Sequence, residues 1–405
     1  MKRKYKAAIV GGGFSGLVAC DRLSLALGGE NVALFEKNDR LGKKILATGN
    51  GRGNITNAKL SSENYHSVSG ADVSGIIRKY DNLSLVRYFA SLGIATEEED
   101  GRIYPSGFQA SAVQDALRDR SAYLNADVFC SSEVKNIVKS GNGFILSGNF
   151  GEVFAEKVIL CCGGKAGGHY GTDGTAFSLV SSLGHSVTAL YPSLVQLKTE
   201  REKIKGLKGV KAKVKASAFV GGEKVAETEG DVLFTEYGIS GNAAFFLSSY
   251  FAGEKGGEVN LEFLPEKNEK DISLFLTEKL SKLPYITREN LLTGIVNKQI
   301  GKAILSSVKD FRKTEDFAAA IARGIKNFNL KVVGSLGFDY AQVTRGGVPF
   351  SEVDKDVLES KKAKGLYIVG EMLDVDGDCG GYNLQWAFSS AAAAADDVIK
   401  PYENK

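Results

Sequence analysis

Residues 5–16 read YKAAIVGGGFSG, a short apolar run that passes directly into glycines. The run from Tyr5 to Val10 is typical of a strand buried on both faces, and Gly11, Gly13 and Gly16 follow it at the spacing G-x-G-x-x-G. In this pattern the first glycine makes a tight turn, the second lets the backbone approach a pyrophosphate, and the third lets helix and strand pack closely. We therefore predict a strand, a turn and a helix whose N-terminus binds phosphate groups.

The residues after these glycines extend the pattern. The predicted helix presents four apolar residues on one face: Leu17, Cys20, Leu23 and Leu27. Gly28 ends the helix, and residues 31–35 read as a second strand that leads into Glu36. An acidic residue twenty positions after Gly16 accepts hydrogen bonds from ribose hydroxyls and disfavours a 2′-phosphate, so the adenosine half should belong to FAD or NAD. Three neighbouring residues are assigned to the same site: Phe14, Ser15 and Lys37.

Length and composition indicate a soluble protein of two or three domains. The chain has 405 residues, of which 43% are hydrophobic and 24% are charged, and such values are ordinary for globular proteins. A membrane-spanning helix needs roughly 18 or more uninterrupted apolar residues, and no window of the sequence holds them. We therefore expect no membrane partner and a cytoplasmic location.

The cysteines and histidines argue against metal and nucleophile chemistry. The five cysteines form no C-x-x-C pair, and the three histidines, His66, His169 and His185, are far apart in the sequence. We therefore predict neither a metal site nor a histidine-driven catalytic triad. The odd number of cysteines also argues against a disulfide framework. The chemistry is expected to belong to a bound cofactor.

Positive charge is concentrated in one stretch. The formal net charge is only +3, but Lys198 to Lys215 contains eight Lys or Arg residues and two Glu residues. A run of this kind is more often a solvated face, and a surface that contacts a phosphate backbone is the alternative. The run can rank functional hypotheses, but it does not establish one.

A glycine-rich loop follows Glu36. Residues 41–57 read LGKKILATGNGRGNITN, which is too rich in glycine for a helix interior. One interpretation is a mobile surface loop, and the other, which we favour, is a loop whose polar groups contact a ligand. The candidate contacts are Lys44, Thr48, Gly49, Gly51, Arg52 and Asn54.

The later sequence predicts an insertion in the nucleotide domain. Residues 157–162 read as a buried strand that ends at Gly163 and Gly164. From Tyr191 the alternation of Val, Lys and Ala predicts an antiparallel sheet or barrel, and residues 267–327 are helical and charged. The predicted return of the nucleotide domain consists of strands near 331–333 and 365–369 and a last helix at 383–399.

Several motifs together resemble one known family. They are the opening glycines, the loop at 48–57, GRIYP at 101–105, LFT at 233–235, GISG at 238–241, TRGGV at 344–348, and DVDGDCGGYNLQW at 374–386. Their order and spacing along nearly the whole chain are similar to the HI0933-like family of FAD-dependent oxidoreductases. The last motif is far more specific than a glycine fingerprint alone.

The resemblance implies an α/β fold: a glutathione-reductase-like, Rossmann-like FAD-binding domain split by an inserted β-barrel or antiparallel sheet and a small helical bundle. It implies FAD as the resident cofactor. Because the sequence holds only one full dinucleotide fingerprint, NAD(P)H is expected as a transient reductant. The predicted segments are 1–190 (FAD-binding domain, first part), 191–264 (inserted β domain), 265–328 (inserted helical domain) and 329–405 (return segment).

The resemblance also implies further FAD contacts. They are Val134, Gly163, Gly164, Gly370, Glu371, Asp376, Gly377, Gly380, Gly381, Tyr382, Asn383 and Leu384. Two positions depart from the family pattern. Gly53 stands where the family usually has Cys, so a thiol is absent from that loop, and Asn242 stands where it usually has Pro. Asn242 can still begin a helix by capping it.

Three functions follow as hypotheses. The first, favoured by the basic run, is reduction of uridine to dihydrouridine in large-subunit ribosomal RNA, with hydride delivered to C6 and a proton to C5 of an extruded base. The second is oxidation of small amines, such as aminoacetone, with oxygen. The third is a non-catalytic FAD-binding role on the ribosome. Cys379 and Tyr382 are candidate proton donors, although a buried cysteine more often only packs.

Overall fold

The computed structural model describes residues 3–253, 256–308 and 311–403. The chain forms two compact units. The first consists of Met1–Tyr191 and Gln342–Lys405, and the second of Pro192–Ala341. Both ends of the chain therefore build the first unit, and the second unit is an insertion in its sequence.

Both units contain helices and strands. The helices are α1 (Phe14–Leu27), α2 (Ser74–Lys79), α3 (Asn82–Ser91), α4 (Ala110–Tyr123), α5 (Phe177–Ser182), α6 (Asn242–Ser248), α7 (Glu269–Lys282), α8 (Lys298–Ser307), α9 (Thr314–Lys326) and α10 (Tyr382–Glu403). The strands are β1 (Arg3–Val10), β2 (Val32–Phe35), β3 (Thr56–Asn57), β4 (Tyr65–His66), β5 (Thr96–Glu99), β6 (Arg102–Pro105), β7 (Asp127–Phe129), β8 (Val134–Ser140), β9 (Gly143–Gly148), β10 (Gly151–Leu160), β11 (Tyr191–Ser193), β12 (Leu197–Thr199), β13 (Lys211–Val220), β14 (Glu223–Phe234), β15 (Gly238–Ser240), β16 (Gly257–Glu262), β17 (Phe328–Ser335), β18 (Val343–Arg345), β19 (Leu366–Ile368) and β20 (Asp376–Gly377).

A seven-stranded sheet organises the first unit. Its order is β7-β2-β1-β10-β9-β8, and β19 pairs with β10. β1 is parallel to β2 and to β10, with Ile9 opposite both Leu34 and Ile159. β2 is buried along its whole length, as are the last four residues of β1, which explains their unbroken apolar sequence. The predicted Rossmann-like α/β fold is confirmed.

Two helices from opposite ends of the chain pack on each other. α1 and α10 are in contact, and the run Ala391 to Ala395 in α10 is buried. Small side chains allow the two helix backbones to approach closely. At the start of α1, a Cβ on Gly16 would lie 1.9 Å from the carbonyl oxygen of Gly11, so this position requires glycine. The first turn of α1 is thereby fixed against the end of β1.

A closed six-stranded barrel forms the second unit, in the order β12-β15-β14-β13-β16-β17. β13 and β14 are a long hairpin whose register shifts between Ala218 and Phe219. The barrel and helices α7 to α9 share one hydrophobic core, in which Leu276 and Ile321 from the helices belong to the same cluster as Phe328 from β17. The predicted barrel is therefore present.

The unit boundaries differ from the predicted segments in two respects. The sequence separated residues 191–264 from 265–328, whereas the shared core joins them in one unit. The predicted return began at residue 329, but β17 closes the barrel and the first unit resumes at Gln342. β17 alternates buried and exposed residues, and this period shows that a strand is half-buried without showing which sheet it joins.

The helical stretch predicted over residues 72–94 consists of two helices. α2 ends at Lys79, and Asp81 caps α3 by accepting a hydrogen bond from the Ser84 backbone N–H at 2.8 Å. None of the helices in the described part of the chain combines the length and apolar character that a membrane crossing requires.

Candidate active site

The start of α1 has the geometry of a phosphate site. Gly11 has φ 102°, and a Cβ there would lie 2.5 Å from the Cys161 carbonyl oxygen, so the turn requires glycine. A Cβ on Gly13 would meet no atom within 4 Å, which leaves open space in front of the helix. No side chain caps α1. Its first N–H groups are therefore available to an anion. The turn at Gly11–Gly13 and the first turn of α1, here called the α1 cradle, fit the pyrophosphate of FAD.

Glu36 is held in one orientation at the end of β2. Its Oε2 accepts a hydrogen bond from the Gly12 backbone N–H at 2.8 Å, and its Oε1 accepts from the backbone N–H and side-chain amide of Asn38 at 2.8 and 2.7 Å. The Ser132 N–H donates to the Glu36 carbonyl oxygen at 2.8 Å, which brings the segment before Val134 to the same place. A fixed carboxylate with spare lone pairs suits ribose hydroxyls.

The lysines assigned to the site have partners within the protein. Lys37 Nζ lies 3.0 Å from Asp173 Oδ2, and Lys44 Nζ lies 2.8 Å from Glu371 Oε2. Glu371 also accepts a hydrogen bond from the Thr344 backbone N–H at 2.8 Å. Lys44 and Glu371 therefore link the early loop to the returning segment rather than presenting free charges to a ligand.

Glycines allow close approaches at two further points. A Cβ on Gly164 would lie 2.4 Å from Thr344 Oγ1, and a Cβ on Gly370 would lie 2.7 Å from Ser15 Oγ. Gly163 has φ 72° and Gly370 has φ 65°. The structure thus places the returning motif against the first turn of α1, as the sequence motifs at both ends of the chain led us to expect.

Arg52 is occupied by its own segment. Its guanidinium lies 4.5 Å from the ring centre of Tyr104 and 4.4 Å from that of Phe108, and it forms an ion pair with Glu99. The sequence predicts a cofactor contact for Arg52, and this stays a prediction. The structure gives its side chain three protein partners, which hold the loop against β6 and the residues after it.

The rest of the glycine-rich loop is fixed by internal contacts. Thr48 Oγ1 donates to the Ile45 carbonyl at 2.7 Å, and the Asn54 amide donates to the Thr56 and Ile103 carbonyls at 2.9 and 3.0 Å. Gly49 and Gly51 have φ values of 56° and 86°. The loop is therefore ordered by its own polar groups, and the open ligand contacts it can offer are backbone groups.

The structure also explains why glycine stands at position 53. Its φ is 79°, and a Cβ there would lie 3.0 Å from the Ala110 Cα. A side chain at this position would be strained and crowded in this chain. The family cysteine is therefore absent from a backbone that is suited to glycine.

Glycines also surround the start of α10. Gly380 and Gly381 have φ values of 132° and 98°, and a Cβ on Gly381 would lie 2.5 Å from the Thr56 carbonyl oxygen. The side chain of Asn383 exchanges two 2.8 Å hydrogen bonds with the backbone of Gly377. Asn383 thus fixes the loop before the helix. Leu384 packs at the edge of the hydrophobic core.

The acidic residues before α10 hold its leading loop. Asp376 is fully buried in an ion pair with Arg345, with Nε and Oδ1 3.0 Å apart. Asp378 Oδ1 lies 2.8 Å from His66 Nε2. Asp374, the first residue of the last sequence motif, accepts four hydrogen bonds of 2.6–3.0 Å from residues 67–69. These carboxylates are structural anchors beside the site.

Both candidate proton donors are protonated at neutral pH. Burial raises the pKa of the Cys379 thiol, and the carboxylate of Asp378 adds to the shift, while the Arg102 charge opposes it. Burial likewise raises the pKa of the Tyr382 hydroxyl, with the same two neighbours acting in the same directions. A group that keeps its proton at neutral pH can donate it. Arg102 and Asn57 are the residues here that sequence reasoning missed.

Three of the eight basic residues of the run form ion pairs within the second unit. Lys211 Nζ and Lys215 Nζ each lie 2.8 Å from a carboxylate of β14, Asp231 and Glu227 respectively, and Lys208 pairs with Glu236. Hydrogen bonds from Lys215 and Lys224 hold the pKa of Glu227 at about 2. The strand β14 therefore offsets part of the positive charge of its neighbour β13.

The same segment lines a cavity of about 390 Å³ with Thr235 and Glu236. Throughout the described residues, no group of three or more His, Cys, Asp or Glu side chains could hold a metal ion. The five cysteines are free.

Comparison with known proteins finds one family model and several relatives that match nearly the whole chain. The model of the HI0933-like protein Rossmann domain matches residues 5–397. The chain is 35% identical over 399 residues to the 3-dehydro-bile acid delta(4,6)-reductase of Clostridium scindens, covering 96% of this chain and 98% of the relative. It is 28% identical over 404 residues to the ribosomal RNA dihydrouridine synthase of Escherichia coli, covering 98% of each.

Among solved structures, a 3-ketosteroid delta1-dehydrogenase from Sterolibacterium denitrificans matches with a TM-score of 0.49 and 10% identity, covering 98% of this chain and all of the other.

Proposed function

Because this chain belongs to the HI0933-like family and is a FAD-dependent oxidoreductase, we propose that it reduces a carbon–carbon double bond conjugated to a carbonyl group in a small cyclic molecule, with NAD(P)H as reductant. The double bond gains two hydrogen atoms, NAD(P)H becomes NAD(P)⁺, and one proton is consumed. When bound, FAD supplies the hydride chemistry, which it takes over from NAD(P)H.

The residues that would hold FAD are those of the α1 cradle. The N–H groups beside Gly13 would bind the pyrophosphate, and Glu36 would accept hydrogen bonds from the adenosine ribose. Gly163, Gly164 and Gly370 allow close backbone approach around the same helix start. These groups are of the kinds that a pyrophosphate and a ribose require: backbone N–H donors for the phosphates and a carboxylate acceptor for the hydroxyls.

The observation that carries the proposal is the pair of protonated groups at the start of α10. Cys379 and Tyr382 are three positions apart in the sequence and both retain their protons at neutral pH, so either can protonate the carbon next to the carbonyl once hydride has reached the far carbon of the double bond. Loss of hydride from an amine needs no such donor. This arrangement supports reduction over amine oxidation.

Two features support a small-molecule substrate. The relative named as a bile-acid reductase shares 35% identity with this chain, and its substrate name describes a ring system with an oxidised carbon and double bonds. In addition, ion pairs offset several lysines of the basic run. Fewer unpaired cations means weaker attraction to a polyanion.

Reduction of uridine in ribosomal RNA is the second candidate. Uracil has the same conjugated double bond, and the relative from Escherichia coli is named for this product. Five basic residues of the run form no ion pair with a carboxylate within the described residues: Lys203, which donates to the Asn329 carbonyl, and Lys198, Arg201, Lys205 and Lys213. They are the observation that favours an RNA partner.

One experiment separates these candidates. The FAD-loaded protein is incubated without oxygen with NADH or NADPH and a panel of cyclic enones that includes a 4-en-3-one steroid, and the products are analysed by mass spectrometry. We expect saturated ketones from the enones, with the corresponding saturated ketones as unreactive controls. In parallel, dihydrouridine is mapped in ribosomal RNA from cells with and without the gene. Loss of specific dihydrouridines together with inert enones would replace the first proposal by the second.

A further inference from the structure

Arg102 lies at the entrance to the α10 loop. It is the first residue of β6, where it stands opposite Asn57 of β3 and Glu99 of β5. Its Nε would lie 3.4 Å from a Cβ placed on Gly380, and Asn57 Nδ2 would lie at the same distance. Asn57 uses its amide to donate to the Gly380 carbonyl at 3.0 Å. The guanidinium therefore lies within contact distance of the backbone at Gly380.

Arg102 differs from the other half-buried arginines of the first unit. Arg22, Arg120 and Arg345 each bind a carboxylate, from Asp396, Asp21 and Asp376 respectively. Within residues 3–253, 256–308 and 311–403, the guanidinium of Arg102 makes no hydrogen bond and no ion pair, while its backbone pairs with the neighbouring strands. A partly buried guanidinium whose N–H groups have no protein partner can donate them to a bound ligand. A ligand with negative charge would accept the strongest hydrogen bonds from these donors.

The neighbours of Arg102 indicate which charge that is. Its electrostatic influence reaches both Cys379 and Tyr382. Asp378, the carboxylate that acts on the same two groups, contacts His66 and Asn64. A guanidinium beside two proton donors matches a conjugated carbonyl, because hydride addition at the far carbon moves the electron pair of the double bond toward the carbonyl oxygen. The oxygen then carries negative charge until the adjacent carbon is protonated.

We propose that Arg102 binds the carbonyl oxygen of the substrate and stabilises the negative charge that develops there during reduction. Arg102 is then a residue of the substrate site, and it contributes more in the transition state than in the ground state. This inference rests on the proposed enone reduction. An oxygen of the reduced isoalloxazine would present the same chemistry to Arg102, and the experiment has to distinguish the two sources.

The test compares Arg102→Gln and Arg102→Lys with the wild type. Arg87→Gln is the matched control, because Arg87 is exposed on α3 and its substitution removes the same charge. Three quantities are measured on FAD-loaded protein: the midpoint potential of the bound FAD, the affinity for para-nitrophenol as an oxyanion probe, and kcat and KM for an enone.

We expect Arg102→Gln to weaken phenolate binding by at least about tenfold, and to lower kcat/KM by roughly a hundredfold or more, with an unchanged midpoint potential. Arg102→Lys should recover part of both losses, and Arg87→Gln should match the wild type. A lower midpoint potential with unchanged phenolate affinity would overturn the proposal in favour of the cofactor oxygen. Unchanged values in all three measurements would also overturn it.

The probe separates this proposal from the proposed function. If the wild type binds the phenolate through Arg102 but reduces no enone, the oxyanion site is supported and the substrate class is wrong. If enones are reduced and Arg102→Gln behaves like the control, the proposed function is supported and the role of Arg102 is wrong.

Discussion

Glycine has opposite roles at two positions of the site. At Gly53 the backbone has φ 79° and a Cβ would crowd Ala110, so the fold itself excludes a side chain. At Gly13 the backbone is ordinary, with φ −75°, and a Cβ would meet no protein atom. Since nothing in the protein excludes a side chain at Gly13, the space there is available to a ligand.

Gly13→Ala should therefore leave folding intact and abolish FAD retention, because the methyl group would occupy the space of the pyrophosphate. Gly107→Ala is the matched control, since a Cβ at this exposed position also meets no atom within 4 Å. The measurements are bound FAD after desalting and the thermal midpoint of the FAD-free protein. FAD retained at the wild-type level in Gly13→Ala would contradict the assignment of the cradle.

Tyr382→Phe and Cys379→Ser should identify the proton donor. The variant that lacks the donor should lose roughly a hundredfold in kcat, and the other should stay near the wild type. Because the pKa values of both groups are raised, the wild-type kcat should remain flat through neutral pH and fall only above the ordinary thiol range. Full activity of the double variant would exclude both groups as donors.

At the residue scale the sequence predicted the cradle but not the substrate side. Gly11, Gly13, Gly16 and Glu36 are close in sequence, and their spacing carries the geometry. Arg102 lies beside Gly380, which is 278 positions away in the chain. No local sequence pattern can show that two such distant residues are neighbours. In the same way, the contacts of Arg52 with the rings of Tyr104 and Phe108 are formed only in the folded chain.

A buried histidine that follows α5 links this part of the chain to the segment at 352–360. His185 Nδ1 lies 2.7 Å from Glu352 Oε2, and its Nε2 lies 2.7 Å from Ser360 Oγ. Ser360 Oγ also accepts hydrogen bonds from the N–H groups of Lys362 and Ala363, so it is a turn anchor and not a nucleophile. Burial lowers the pKa of His185, although Glu352 opposes this shift.

This element should make stability depend on pH in a defined window. The unfolded chain has a histidine pKa of about 6.5, so below that pH it binds protons that folded His185 resists, and the free energy of unfolding should fall. Glu352, whose pKa is lowered to about 2, stabilises the fold at neutral pH and loses this contribution only in more acidic solution, below the ordinary carboxyl pKa. Urea unfolding between neutral pH and about pH 5 should show the loss in wild type and in the exposed His169→Gln control. A variant His185→Phe that keeps the same slope would contradict this role.

The boundaries of helices and strands could be predicted where the apolar pattern fits only one kind of element. β1, α1, β2 and α10 follow from runs that are buried on one or more faces. β17 was assigned to the wrong unit, because an alternating strand fits a barrel and an open sheet equally well. The pairing with β12 and β16 that decides its place is a long-range contact.

At the scale of the whole molecule, the sequence predicted one domain interrupted by a barrel and helices, and the two compact units agree with that organisation. The ion pairs that neutralise lysines of the basic run could not be predicted. Their carboxylates, Glu227, Asp231 and Glu236, lie on the next strand and the loop after it, and only strand pairing brings them close to the lysines. A count of charges in one segment therefore overstated its attraction for a polyanion.

A combined variant tests whether basic residues of the run that form no ion pair contribute to substrate binding. Replacement of Lys198, Arg201, Lys205 and Lys213 by Gln should leave enone reduction within about twofold of wild type, since the proposed substrate is not a polyanion. The matched control replaces Lys208 and Lys211, which are already paired. A loss of ribosomal dihydrouridine in cells that carry only the combined variant would favour the RNA substrate instead.

Enone reduction is tested most directly by mixing the reduced, FAD-loaded protein with a 4-en-3-one steroid in the absence of oxygen and following the flavin absorbance. We expect the enone to restore the oxidised spectrum and one saturated ketone to form for each FAD. A flavin that stays reduced with every enone, and is reoxidised only when oxygen is admitted, would contradict it.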